Sequence, residues 1–249
     1  MNYQYRYGGN FPQALSALWQ EGGVARLYQG LPFALIQGPL TRFGDTAANV
    51  GVLVLLDTAA SDLPLPVKTA CGSFAAGLWR IVLMPIDSSK TALQVEGAGA
   101  LQRLWEGAPA SVYRGSLAQA AATAAGHFPW FLTYNLLNEN IPTPDAMGVD
   151  NILLWSLLRS ASLGFGASLV SDCCSNSLRV IKTTKQTAQL GGEYDTSRGE
   201  LSYPDIVKMI IAKDGVGGLF GRGLQTRLAT NAIQGAAFSV LWRYFQQVN

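Results

Sequence analysis

Five stretches of the chain are apolar over nearly the length that a membrane-spanning helix needs, about 20 residues. They run from Gly30 to Leu56, Val67 to Ile86, Leu117 to Leu137, Ile152 to Val170 and Leu224 to Leu241. Each is punctuated by ionisable residues, namely Arg42 with Asp45, Arg80, His127, Arg159 and Arg227. Such residues are costly in lipid and usually face a bundle interior or a water-filled cavity, so the pattern predicts helices around a wet centre. Shorter amphipathic stretches, Phe11 to Gln20, Ala100 to Trp105 and Tyr203 to Lys213, predict helices lying along the membrane plane. The alternative on pattern alone is an all-α soluble protein with buried helices.

Composition separates the two. Charged residues make up 14% of the 249 residues, against about 25% in an ordinary soluble domain. Glycine contributes 27 residues and mean hydropathy is +0.17, which suits close-packed membrane helices. A net charge of +2 is too small to imply nucleic acid as a partner. Cys71, Cys173 and Cys174 offer neither a disulfide scaffold nor metal-ligand spacing, His127 is the only histidine, and no serine stands in a nucleophile elbow. The chemistry of an enzyme, of a metal site or of a cofactor has little to work with. Met1 to Gly9 lacks the apolar core of a signal peptide.

An internal repeat organises the chain. Glu21-Gly22 is followed by Tyr28-Gln29-Gly30, Glu106-Gly107 by Tyr113-Arg114-Gly115, and Asp214-Gly215 by Phe220-Gly221-Arg222-Gly223. Each time 8 residues separate the first glycine from the last. The unit is helix, surface helix, acidic-Gly turn, helix, and it divides the chain into residues 1–57, 58–138 and 139–249. The small-residue run Ala118 to Ala125, and Gly164 with Gly166, predict close helix packing, and Gln186 to Gly199 reads as a polar loop.

The second apolar segment ends in Met84-Pro85-Ile86-Asp87-Ser88-Ser89-Lys90, with Gln94 four residues on. Proline there removes a backbone bond and predicts a kink, while Asp87 and Lys90 share a helix face. Pro-x-Asp-x-x-Lys with a trailing glutamine, together with the three acidic-Gly copies, resembles the mitochondrial carrier family over essentially the whole chain. The resemblance implies an all-α membrane protein, a threefold pseudosymmetric bundle of six helices, of which five are visible here. The first acidic-Gly turn comes at Glu21, leaving no room for a first spanning helix, and Gln4 then reads as the first repeat's trailing glutamine.

The resemblance also implies two gates and a central site. The acid of one odd helix pairs with the lysine of the next to close the matrix side, which assigns Asp87, Lys90, Gln94, Arg179, Lys182 and Gln186 to that gate. Proline and acid are replaced in the third copy by Ser177 and Arg179. Asp87 with Lys182 is the surviving pair; Arg179 would repel a lysine on helix one, and Lys90 lacks an acid partner. For the opposite gate, 19 residues after each repeat glycine, the positions are Asn49, Tyr134 and Trp242, then Val50, Asn135 and Arg243, then Leu53, Asn138 and Gln246, so no charge pair remains. Seven residues after the repeat glycines lie Gln37, Ala122 with Thr123 beside it, and Thr230, the family's main contact positions. Twelve residues after them, Arg42 is a cationic anchor for an anion unless Asp45 neutralises it, and His127 is a substrate contact or an interhelical hydrogen-bonding group.

The function implied is solute transport by alternating access, for a small anionic or zwitterionic solute, across the mitochondrial inner membrane or a plastid envelope. Membrane lipid and the solute are then the partners. The competing expectation is a carrier-derived structural or adaptor protein, which would hold protein partners instead.

Overall fold

The computed structural model describes residues 1–60, 62–107, 109–143, 151–191, 201–234 and 237. Among these the regular structure is helical, with no strand. Helix α1 (Asn2–Tyr7) and α2 (Phe11–Leu27) precede the long α3 (Leu31–Ala59). Helices α4 (Leu65–Val82), α5 (Met84–Glu96) and α6 (Ala98–Glu106) follow, then a 3-10 turn over Pro109–Tyr113 and α7 (Ser116–Asn140). Helices α8 (Ile152–Thr187) and α9 (Tyr203–Gly221) come next, and residues 224–234 form α10.

Local sequence explains the boundaries. Asn10 opens α2 with a capping box, its side chain accepting from the Gln13 N–H while the Gln13 side chain accepts from its own N–H, both at 3.0 Å. Ser202 and Asp205 open α9 in the same way, and the Ser202 hydroxyl and backbone N–H hold the Asp205 carboxyl below the usual carboxylate range. Both helices leave helical geometry at their acidic-Gly turns, with Gly23 at φ 57° and Gly215 at φ 69°. The predicted segment Val67 to Ile86 is broken at Leu83, where the chain bends by 66° and Pro85 sits in the first turn of α5. The predicted helix Ile152 to Val170 instead runs on without a break for 36 residues to Thr187, and so takes in the start of the expected polar loop at Gln186. Ser177 keeps the backbone N–H that proline would remove, which explains the difference from α4 and α5. The rest of that loop, residues 192–200, lies outside the described residues.

Helices α3, α4, α7 and α8 pack side by side in that order, α9 lies against α8, and α1 touches α5 and α8. Small residues set the close approaches. A Cβ at Gly44 would overlap the Trp79 indole, one at Gly77 would lie 3.1 Å from the Ala120 carbonyl oxygen, and one at Gly126 would lie 3.1 Å from the Ser171 hydroxyl. Among the described residues, apolar clusters form where the shorter helices pack. Tyr5, Val180, Leu201, Ile206 and Ile210 make one, and Ala92, Ala100, Leu104, Val112 and Leu190 another.

Elsewhere the usual distribution is reversed. Buried residues include Gln37, Asp87, Asn176, Lys182, Thr183, Thr184 and Gln186, whereas Leu35, Phe43, Leu55, Phe74, Leu117, Leu136, Leu158 and Ile233 are exposed. No single helix among the described residues is long and apolar enough to cross a membrane by itself, but α4 from Val67 with α5 passes as a bent pair.

Candidate functional site

Asp87, in the first turn of α5, is the centre of a buried polar network. One carboxylate oxygen pairs with Lys182 of α8 and accepts a 3.1 Å bond from the Gln186 amide. The other accepts from the Gln37 amide of α3 at 2.6 Å, and Gln37 in turn accepts from Lys90. Asp87 is 5% exposed and Lys182 7%, so neither charge has much water to fall back on. Two sequence expectations change here. Lys90 is not without a partner, since it bonds Gln37 and lies 3.7 Å from Asp87 on its own helix. Gln37, expected as a solute contact, is instead engaged between Asp87 and Lys90. Gln94 stands apart from the network and accepts a 2.7 Å bond from Asn2.

The repeat glycines dock alike. A Cβ at Gly30 would meet the Lys90 carbonyl oxygen at 3.0 Å and Gln94 Cγ at 3.2 Å; at Gly115 it would meet the Lys182 carbonyl oxygen at 3.1 Å and Gln186 Cγ at 3.4 Å. At Gly223 the corresponding neighbours are the Tyr5 ring at 2.7 Å and the Met1 carbonyl oxygen at 3.6 Å. The place expected for Gln4 is therefore taken by Tyr5, one residue later, and the lysine place falls on Met1. Gln4 turns away, donating to the Gly9 carbonyl at 3.3 Å. Two arginines close helix ends beside these contacts. Arg26 donates to the Leu93, Gln94 and Val95 carbonyls and pairs with Glu21, while Arg222 donates to the Tyr5 and Arg6 carbonyls and pairs with Asp214. Both place positive charge on carbonyls that a helix C-terminus leaves unpaired.

A central cavity of about 750 Å³ runs among α1, α2, α3, α4, α5, α7, α8 and α10. Its charged lining is unbalanced. Arg26, Arg42, Arg80, Lys90, Arg179, Lys182 and Arg227 face it, against the carboxylates of Asp45 and Asp87. Asp45 pairs with Arg80 of α4 at 2.8 Å, and Thr41 accepts a further 3.0 Å bond from that guanidinium. Arg227 pairs with Asp172 of α8 at 2.5 Å, and Asn231 donates to the same carboxylate. Two guanidiniums, Arg42 and Arg179, have no carboxylate within 4 Å among the described residues. Arg42 makes no hydrogen bond there, and Arg179 makes one, from Nε to the Ser175 hydroxyl at 3.1 Å. His127 also makes no hydrogen bond among the described residues; it lies edge-on to Phe131 at 6.2 Å and lines the cavity.

A side chamber of about 70 Å³ adjoins the cavity and shares Arg80, Gln119, His127 and Arg179 with it. Of the expected contact positions, Gln37, Arg42 and His127 face the central cavity. Thr123 lines the side chamber, Ala122 is fully buried in packing, and Thr230 faces a different groove, between the start of α2 and α10. The inward faces of α7 and α10 instead carry Gln119 and Arg227, each four residues after its repeat glycine, with His127 two turns further along α7. Arg80, His127 and Arg227 were expected to face the interior, whereas Gln119 and Asp172 carried no such signal, although a helical step of about 3.6 residues links offsets of 4, 8 and 12 better than an offset of 7.

At the other end of α7, Tyr134 stacks on Trp130 at 5.1 Å, and Asn138 accepts from Arg159, whose guanidinium also caps the Ile141 carbonyl. Trp242, Arg243 and Gln246, like Gly235 and the side chain of Asn49, lie outside the described residues.

Residues 155–248 match the family model for mitochondrial carrier protein. That stretch is similar to the mitochondrial carrier family. The matched stretch holds Lys182, Arg179, Asp172 and Arg227, so the similarity falls on the repeat in which proline and acid have become Ser177 and Arg179. Members of this family are transporters rather than enzymes and typically sit in the mitochondrial inner membrane. No curated protein matches the chain.

Proposed function

We propose that this carrier moves a small anionic solute through its central cavity by alternating access across the mitochondrial inner membrane. The observation that carries the reading is the charge imbalance of the cavity, where Arg42 and Arg179 have no carboxylate partner. A guanidinium in a largely desolvated site is retained most readily where an anion compensates it, and Asp45 is already committed to Arg80. Arg42 is the first anchor, with Gln119 and His127 as neutral partners. The polar interior and apolar exterior of α3, α4, α7 and α8 support a bundle surrounded by lipid, with the three repeats 1–57, 58–138 and 139–249 arranged about the cavity. The Asp87, Lys182, Gln37, Lys90 and Gln186 network is the matrix gate. It ties α3, α5 and α8 together and has to open for solute to leave past it.

The test is uptake into liposomes reconstituted with the purified protein, beside a thermal-stability screen of carboxylates, amino acids and nucleotides. A solute at a hundredfold excess over its Kd should stabilise the protein by about 2.7 kcal/mol. Arg42→Gln should lower both uptake and the thermal shift. If no anion stabilises or enters, and the protein purifies with a bound partner, the adaptor reading replaces this one.

A further inference from the structure

We propose that the side chamber between α4, α7 and α8 is a phosphoryl-binding subsite, so that the solute carries a phosphate group seated there while its body lies in the central cavity. This rests on the transport reading for the solute, but not for the binding of the anion itself.

Size comes first. About 70 Å³ is room for roughly two waters at about 30 Å³ each, so the chamber admits one small group and excludes an entire metabolite. It opens from the main cavity through shared walls, which lets a headgroup enter while the rest of the molecule stays outside.

Donors come next. Arg80 spends its terminal nitrogens on Thr41 and Asp45, and its Nε is buried with no hydrogen-bond partner. Arg179 spends Nε on the Ser175 hydroxyl, which leaves both terminal nitrogens without a protein acceptor among the described residues. The Gln119 amide reaches only a long 3.4 Å contact with Thr123, and the His127 ring lines the chamber without a hydrogen bond among the described residues. Ser171 and Thr123 already donate to the Gly126 and Gln119 carbonyls, so they complete the wall without adding donors.

The direction of these donors selects the ligand. They converge from α4, α7 and α8, on three sides of the chamber. A planar carboxylate is satisfied by one guanidinium fork, whereas a tetrahedral oxyanion has oxygens for several separated donors, among them the Arg179 terminal nitrogens and the Arg80 Nε. Leaving Arg179 without a countercharge has a desolvation cost that an anion in the chamber removes.

The experiment is calorimetric binding to the full chain in detergent, with inorganic phosphate, glycerol 3-phosphate and glycerate as probes. The expected result is binding of both phosphates, tighter for the ester, with glycerate at least tenfold weaker. Arg179→Gln should weaken both phosphates at least tenfold, Arg179→Lys should fall between, and Arg103→Gln, on the exposed face of α6 away from both cavities, should leave inorganic phosphate within twofold. Unchanged helical content by circular dichroism excludes a folding explanation. Glycerate binding as tightly as glycerol 3-phosphate, or inorganic phosphate binding Arg179→Gln as it binds the original protein, would overturn the subsite. Tighter binding of inorganic phosphate than of the ester would assign the chamber to free phosphate. Phosphate binding without any uptake by liposomes would leave the subsite standing while the transport reading falls; uptake of carboxylates with no phosphate binding would do the reverse.

Discussion

Asp45 pairs with Arg80 across the α3 and α4 interface at 2.8 Å, not with Arg42 one turn earlier on its own helix. The two partners are partly buried, with side-chain exposures of 16% and 19%. Removing one end of such a pair leaves a charge with little solvation, which costs about 3 to 5 kcal/mol when fully buried and less at this exposure. Asp45→Asn and Arg80→Gln should therefore each lower thermal stability in detergent by about 1 to 3 kcal/mol. Arg42→Gln should change it by no more than about 0.5 kcal/mol, as for a site without partners. Equal losses at Arg42 and Arg80 would contradict the pairing.

A second expectation concerns Asp87 and Lys182. The carboxylate is shared among Lys182, Gln186 and Gln37, and the amides can present either their oxygen or their nitrogen. Asp87→Lys or Lys182→Asp alone should destabilise strongly, by bringing like charges together in a buried place. The two changes combined should recover at least about 1 kcal/mol of the summed loss, the size of coupling expected for residues in direct contact. Strict additivity in a double-mutant cycle would remove the contact.

Much of this arrangement was legible in the sequence because it depends on spacing. The repeat glycines and the break beside Pro85 follow from residues whose backbone chemistry or fixed offset leaves few options, and the Asp87 to Lys182 pair is what the family resemblance implies. Partner choice was less legible. Asp45 stands at i+3 from Arg42, and only the approach of α3 to α4, allowed by Gly44 against Trp79, brings Arg80 to it. The register of α1 was misread by one residue because Gln4 has the expected side chain, while the packing against Gly223 selects Tyr5. The cavity face of α7 was displaced for a related reason, since an offset carried over from a resemblance does not record which face the helix turns inward.

The repeat glycines supply a third prediction. Gly115 starts α7 at φ 82°, and a Cβ there would sit 3.1 Å from the Lys182 carbonyl oxygen, part of the α8 backbone. Left-handed geometry alone costs an L-residue about 1 to 2 kcal/mol, and the backbone contact adds to it. Gly115→Ala should lower stability by at least about 1 kcal/mol. Gly99, in the exposed first turn of α6 with nothing within 4 Å of its place for a Cβ, is the control. Gly99→Ala should be neutral or stabilising by up to about 1 kcal/mol, since alanine is the better helix former. Thermal unfolding of the two variants side by side separates a required turn from a general preference.

The three cysteines give a test of what surrounds the bundle. Cys71 on α4 and Cys173 and Cys174 on α8 are all free and all exposed, on helices whose buried faces carry Ser73, Ser171, Asp172 and Asn176. In water a polar interior and an outward thiol would be a poor bargain, because buried polar groups need every partner satisfied while apolar surface stays wet. In lipid the same distribution is favourable, and an exposed thiol faces hydrocarbon, where little thiolate forms to react. A charged, membrane-impermeant maleimide should thus leave all three thiols unmodified in sealed vesicles, added from either side. An uncharged, lipid-soluble maleimide should label them after detergent extraction, and Cys→Ser variants would identify each site by mass. Rapid modification of Cys173 or Cys174 by the impermeant reagent in intact vesicles would mean that α8 is wetted along its middle, and the lipid-facing reading of that helix would fail.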